Sequence, residues 1–279
     1  MRITKRDIDI LTAIASFQVL TTLQISNLLF PSLHRTRKRL TILNNYGLIR
    51  RFRQAIQIGL GSSQFIYEIS NKGFRVLASE CSNNNRCSSV NTPNKPLSPL
   101  FLEHTLQRNE FRIALTLACA RQSDAELLSW NQGNSVRKTV NLIASESNSG
   151  WKRVSIIADG HFGIKFDNKI KTYFVEIDRG TMSHRRLLEK ARAYVQLLRQ
   201  YSRSSNYSSL PFRLLLVTTS EVRLREFFLK LNKTNWLFPS GFVMGTTYER
   251  ISSSNQNIIM SCIWDINTTK GFLRVTLNL

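Results

Sequence analysis

Residues 154–194 read VSIIADGHFGIKFDNKIKTYFVEIDRGTMSHRRLLEKARAY, and the fold class follows from this stretch. Two runs of β character, VSIIADGHFGIKF and KIKTYFVEID, precede a basic helix, and a third run, PFRLLLVTT (211–219), comes after it. A strand–helix–strand unit inside a mixed sheet predicts an α/β domain. Acidic groups stand at or near the ends of the first two runs: Asp159 in one, Glu176 and Asp178 in the other. Lys190 lies near the middle of the helix. Carboxylates on adjacent strands with a cation close by form an apparatus for holding a divalent metal against a phosphodiester.

Each of these residues also has a plainer reading. Asp159 before Gly160 makes a good turn. Glu176 and Asp178 alternate along one strand, face the same side, and have Arg179, Arg185 and Arg186 within reach as ion-pair partners. Lys190 suits a solvated helix face. On its helix Leu187, Ala191, Tyr194 and Leu198 fall at helical spacing as a buried stripe, and Lys190 borders that stripe, so its amine is expected to reach the strand ends.

Around this core the periodicity predicts a helix over 100–122 (LFLEHTLQRNEFRIALTLACARQ) that carries Glu110, a further acidic candidate. A short strand, ELLSW, and a polar loop to Gly150 follow. A last helix, SEVRLREFFLKLN, begins at Ser220. The tail after Asn232 reads as strands, GFVMGTT, NIIMSCIWDI and GFLRVTL, which complete or decorate the sheet.

The N-terminal part has a different grammar. Thr4 and Asp7 resemble a capping box opening a first helix, and a second starts near Thr22 and stops at Pro31. Ser32 caps a third, LHRTRKRLTILNNYG, closed by Gly47. Leu33, Leu40 and Leu43 are its buried stripe, leaving His34, Arg35, Arg37, Lys38 and Thr41 outward. LIRRFRQAIQIG and QFIYEIS then read as a hairpin joined by a Gly/Ser loop that ends at Ser63, and Ser70 caps a fourth helix. Three helices and a hairpin make a winged helix-turn-helix, whose third helix enters the major groove while its wing touches phosphates. His34, Arg35, Arg37, Lys38 and Arg39 on the third helix, with Arg50, Arg51 and Arg53 on the wing, are the candidate DNA contacts. A winged helix used for protein contacts would carry the same face.

Residues 79–99, SECSNNNRCSSVNTPNKPLSP, are rich in Ser, Asn and Pro and read as a flexible linker. The expected domains are therefore 1–78, a winged helix, and 100–279, the α/β core.

The chain carries 39 Lys and Arg against 18 Asp and Glu, a net charge of +21, which points to a polyanionic partner, double-stranded DNA before an anionic membrane. No long apolar run predicts a membrane span. MRITKRDIDI does not read as a signal peptide, since Asp7 and Asp9 interrupt it. Cys81, Cys87, Cys119 and Cys262 lack zinc-site spacing and are expected to be reduced thiols in a cytoplasmic protein, Cys119 in the core.

Two resemblances sharpen this. The element order resembles the core of the PD-(D/E)xK nuclease superfamily, a restriction-endonuclease-like fold. That likeness implies Asp159 and Glu176 as acidic residues of a Mg²⁺ or Mn²⁺ site, with Ala158 where the family often has Pro. It also implies a lysine two residues after Glu176, where this chain has Asp178. Arg179 or Lys190 would have to supply the missing cation, and Glu110 a further metal ligand. The whole chain is similar to the plasmid replication-relaxation family. That likeness rests on RTRKRLTILNNYGLIR (35–50), FIYEISNKGFRVL, HTLQRNEF (104–111), the Asp159–Gly160 step, and FVEIDRGTM with the helix after it. It implies DNA work for a plasmid or transposable element in a prokaryote.

Three functional classes remain open on the sequence. One is a DNA-binding accessory protein of a mobile element, acting in its replication, mobilisation or maintenance with an inactive nuclease-like domain, alone or with other proteins of that element. Another is an active metal-dependent endonuclease. The last is a dimeric transcriptional regulator. The sequence is compatible with an oligomer in each case.

Overall fold

The computed structural model describes all residues except 1, 55–63, 85–96, 146–147, 205–210, 235, 237–238, 254–256, 269–270 and 279. The chain divides into two compact units, 1–113 and 114–279, and is of mixed α/β class.

The first unit runs α1 (Lys5–Phe17), β1 (Val19–Thr21), α2 (Thr22–Leu29), α3 (Leu33–Asn45), β2 (Ile49–Arg53), β3 (Phe65–Ile69), α4 (Asn71–Asn84) and the first part of α5 (Pro99–Arg121). Its antiparallel sheet has the order β1-β3-β2. The caps fall at the residues whose side chains can make them. The Thr4 amide donates to Asp7 Oδ2 at 2.7 Å, the Gln24 amide to Thr21 Oγ1 at 3.2 Å, and the Gly73 amide to Ser70 Oγ at 3.0 Å. Gly47 ends α3 with φ +68°, which costs a residue with a Cβ and is free for glycine. Ile10, Leu11, Ile14, Leu40 and Leu43 are fully buried, so the helical spacing is the spacing of the core. Leu33 is only half-buried, and Thr36 takes the inner position instead, its hydroxyl satisfied by Ser32 O at 3.0 Å. The hairpin loop at 55–63 lies outside the described residues.

Two sequence-based boundaries shift. Helix α4 continues to Asn84, inside the stretch read as linker, and the rest of that stretch up to residue 96 is not described. Residues 100–113 of α5, assigned by sequence to the second domain, pack with the first unit. The cause is polar. Asn109 Nδ2 donates to the carbonyls of Phe17 (3.0 Å) and Val19 (2.6 Å), and Arg112 donates to Ser16 O (2.9 Å) while lying 3.9 Å over the Phe17 ring. The Ser16 and Phe17 carbonyls are among those that the end of α1 leaves orphaned.

The second unit opens with the end of α5 and continues with β4 (Ala125–Asn131), β5 (Lys138–Ser145), β6 (Asn148–Ile156), β7 (Gly160–Phe166) and β8 (Lys169–Ile177). Then come α6 (His184–Ser204), β9 (Arg213–Thr218), α7 (Glu221–Asn232), β10 (Val243–Thr247), α8 (Tyr248–Ser253), β11 (Trp264–Thr268) and β12 (Gly271–Val275). Among the described residues the main sheet has seven strands in the order β12-β11-β10-β9-β8-β7-β4. The central β8-β9-β10 pairs are parallel and the outer ones antiparallel. The parallel strands need crossovers, and α6 and α7 supply them. Between these helices and the sheet lies a core that includes Phe174, Tyr194, Leu198, Phe212, Leu214, Phe228 and Phe242.

The run 154–166, read as one strand, is two. It breaks at 157–159, and β6 pairs with β5 in a separate two-stranded ribbon while β7 joins the main sheet. Gly160 opens β7 flat against the Trp130 ring, where a Cβ would lie 2.5 Å from it. The polar loop expected before Gly150 is largely the ribbon's first strand, with Val140 buried beneath it. In the tail, β10, β11 and β12 form as expected, but 257–263 is turn, and Ile258 and Ile259 are fully buried without joining a strand.

Candidate functional site

Asp159 sits in the break between β6 and β7, immediately before the start of β7 rather than within a strand. Its backbone amide donates to Val175 O at 3.1 Å, and its Oδ2 accepts from the Ile177 amide at 2.7 Å. Both contacts tie it to β8, beside Glu176. Glu176 is 5% exposed. Lys190 of α6 donates to its Oε2 at 2.6 Å, and the Tyr194 hydroxyl donates to its Oε1 at 2.7 Å. Lys190 and Tyr194 are one helical turn apart, so the two groups reach one carboxylate from one helix face. The cation that meets Glu176 thus comes from the helix after β8. Leu187, Ala191, Tyr194 and Leu198 are the buried stripe, with Lys190 half-buried at its border.

Burial dominates the electrostatics. It pushes the Glu176 carboxyl up to about 7; Lys190 pulls the other way, and the negative charge of Asp159 adds to the rise. Lys190 pays a desolvation cost of its own, but Glu176 and then Asp159 outweigh it and hold the amine charged beyond its ordinary range. Burial also raises the Tyr194 hydroxyl, so it stays a donor.

Asp178 belongs to a different construction. It is 2% exposed and accepts from Arg223 of α7, from Thr218 Oγ1 at 2.9 Å and from the Gly180 amide at 3.1 Å. Arg223 also donates to Met182 O. This latch fixes the turn from β8 into α6 and so sets where Lys190 arrives. Glu110 lies in the first unit, where it accepts from Gln24 Nε2 at 3.1 Å. Gln24 is also the capping-box partner of Thr21.

Among the described residues no group of three or more His, Cys, Asp or Glu could hold a metal. Asp159 and Glu176 offer two carboxylates. Mg²⁺ commonly uses one or two protein carboxylates and completes its shell with water and phosphate oxygens, so the pair fits a hard cation of that kind.

In the first unit, His34, Arg35, Arg37, Lys38 and Thr41 are exposed on α3. Arg39 is turned inward onto the fully buried Asp7, whose carboxyl is held below its ordinary range; burial would raise it, but Arg39 and Thr4 outweigh that. On β2, Arg50 pairs with Glu68 at 2.9 Å. Arg51 and Arg53 lie 4.4 and 4.0 Å over the Phe65 ring, which braces two flexible cations on one side of the hairpin.

The model of the replication-relaxation family matches residues 11–211, well over half the chain. The chain belongs to the replication-relaxation family. Membership associates it with the replication or relaxation of a plasmid or other mobile element. No curated protein and no solved structure matches it. The replication-relaxation stretch contains α3, Asp159, Glu176, Asp178 and Lys190, whereas Arg223, which locks Asp178, lies beyond it. No helix among the described residues is long and apolar enough to cross a membrane.

Two contributors escaped the sequence reading. Tyr194 read only as core, although its position one turn after Lys190 was the available signal. Arg223 carried no local signal at all. Cys119, expected in the core, is buried, and burial pushes its thiol up to about 11.

Proposed function

We propose that this replication-relaxation chain is a DNA-binding protein of a plasmid or transposable element. In this reading the first unit is a winged helix that selects double-stranded DNA, and the second is a nuclease-like domain that acts on it in the cytoplasm. The observation that carries the second part is the 2.6 Å contact of Lys190 with Glu176 beside Asp159, which restores acid, acid and lysine by a route the linear motif lacks.

Asp159 and Glu176 would hold Mg²⁺ or Mn²⁺, which when bound would activate water and neutralise phosphate charge. Lys190, held charged, would orient a phosphate oxygen and stabilise charge developing on it. Tyr194 fixes the Glu176 carboxylate, and the Asp178–Arg223 latch fixes α6. The exposed cations of α3 supply groove contacts, and Arg51 and Arg53 supply phosphate contacts from the hairpin.

A second reading, binding without cleavage, draws on the same ion pair. Glu176 already has a partner on each oxygen, so a metal must compete with Lys190 for it.

The deciding experiment incubates the purified chain with supercoiled plasmid of its own element in Mg²⁺, Mn²⁺ or EDTA, beside Glu176→Gln. Metal-dependent nicking or linearisation that the variant lacks is the expected outcome. Intact plasmid retarded equally by both proteins would leave a nuclease-like fold used for binding.

A further inference from the structure

A cavity of about 580 Å³ opens between the β5–β6 ribbon and α6. Lys190 lines it, so one wall is shared with the Glu176 centre. Lys152 and Arg153 of β6 and Arg186 of α6 also line it, and all three are exposed. The acid in the lining, Glu189, is engaged by Arg185 at 3.2 Å. The floor is apolar: Val154, Ile156 and Ala193 form it, with Ile157 at 38% exposure. Cations at the rim over an apolar floor match a nucleotide, with its phosphates held by the rim and its base laid on the floor.

We infer that this cleft holds an unpaired stretch of a DNA strand next to the Glu176–Lys190 centre. The inference rests on the reading of the chain as a DNA-handling protein. It adds that the second unit works on a strand already separated from its complement. Charge complementarity selects a polyanion, and size selects a single strand: a duplex cannot enter a cavity of 580 Å³, whereas a nucleotide fits the usual range of small-ligand sites. An acidic peptide would bring charge to the rim but no flat face for the floor.

The test measures fluorescence anisotropy of the full chain with a labelled thymidine oligonucleotide and with a blunt duplex, both in EDTA, so that binding is read without cleavage. The variant Lys152→Ala/Arg153→Ala/Arg186→Ala leaves Asp159, Glu176 and Lys190 in place. We expect it to weaken single-strand binding by roughly 10- to 100-fold and to reduce the slope of log K against log salt by about 2, three contacts at ~0.7 each. Duplex binding should change less than threefold. Single-strand affinity equal to that of the native chain overturns the inference, and so does an equal loss for the duplex. Displacement of the oligonucleotide by a mononucleotide or by polyglutamate at matching affinity overturns it too. Binding is read in EDTA and does not depend on cleavage. A failure to nick plasmid therefore leaves this result unaffected and is distinguishable from it.

Discussion

Lys190 Nζ stands 2.6 Å from Glu176 Oε2 across fourteen residues of sequence, and the pair joins the helix after β8 to the strand itself. Glu176 is buried and Lys190 half-buried, so the pair pays a desolvation cost on the carboxylate side and its value lies in the position it defines. Lys190→Ala would leave Glu176 without its cation. If the centre cleaves DNA, we expect nicking to fall by about 10²–10³, the usual cost of removing one preorganised charge donor. Duplex retardation should be unchanged. Nicking at the native rate would remove Lys190 from the centre.

Asp178 should behave differently from Glu176. Its carboxylate is 1% exposed and locked by Arg223, so Asp178→Ala removes the ion pair and the Thr218 and Gly180 contacts, leaving the partly buried guanidinium with Met182 O alone. A loss of about 3–5 kcal/mol is expected, seen as a lower urea midpoint. All four tryptophans, Trp130, Trp151, Trp236 and Trp264, lie in the second unit, so their fluorescence reports its unfolding. A stable but inactive Asp178→Ala would instead make Asp178 part of the chemistry.

The pH dependence follows from the raised Glu176 carboxyl. Between its ordinary 4.5 and its folded value of about 7, the folded chain keeps a proton that the unfolded chain has released. The stability this confers is complete below about pH 4.5 and is lost as pH rises through 7. Relative to the native chain, Glu176→Gln should therefore gain roughly 3 kcal/mol between pH 4.5 and pH 8, by the same fluorescence measurement. Parallel pH profiles for the two proteins would contradict the assignment. Metal binding should rise over the same window, because a divalent ion competes with that proton.

In the first unit the cations divide by what they touch. Arg39→Ala exposes the buried Asp7 charge and should cost about 3–5 kcal/mol of first-unit stability, read by hydrogen exchange of α1 and α3. Asp7 is held low, so the stability it provides is present above its ordinary pKa of 3.8 and is lost as pH falls below that. Lys38→Ala, on an exposed position, should leave stability within about 0.5 kcal/mol. In duplex binding it should lower the salt slope by about 1 if it meets a phosphate. If instead it changes which sequence is preferred, Lys38 reaches a base edge.

The sequence alone determined what is local or periodic. Thr4, Ser32 and Ser70 cap helices because a short side-chain oxygen beside a helix start can reach its orphaned amides and little else. The stripe Leu187, Ala191, Tyr194, Leu198 is buried because helical spacing puts it on one side. The cation surplus and the family motif were legible for the same reason, each being a property of neighbouring residues. Only the tertiary structure decided which charges meet. Arg39 read as a DNA contact and folds onto Asp7, since spacing along α3 says nothing of what packs beside it. Asp178 read as a companion of Glu176, yet α7 brings Arg223 to it from 45 residues away. Residues 154–166 read as one strand, and they divide between two sheets because β6 pairs with β5 and β7 with β8 and β4. Capping and periodicity act over one or two turns of chain. Ion pairing of buried groups depends on which elements the fold lays side by side, and that is set by the packing of the whole unit.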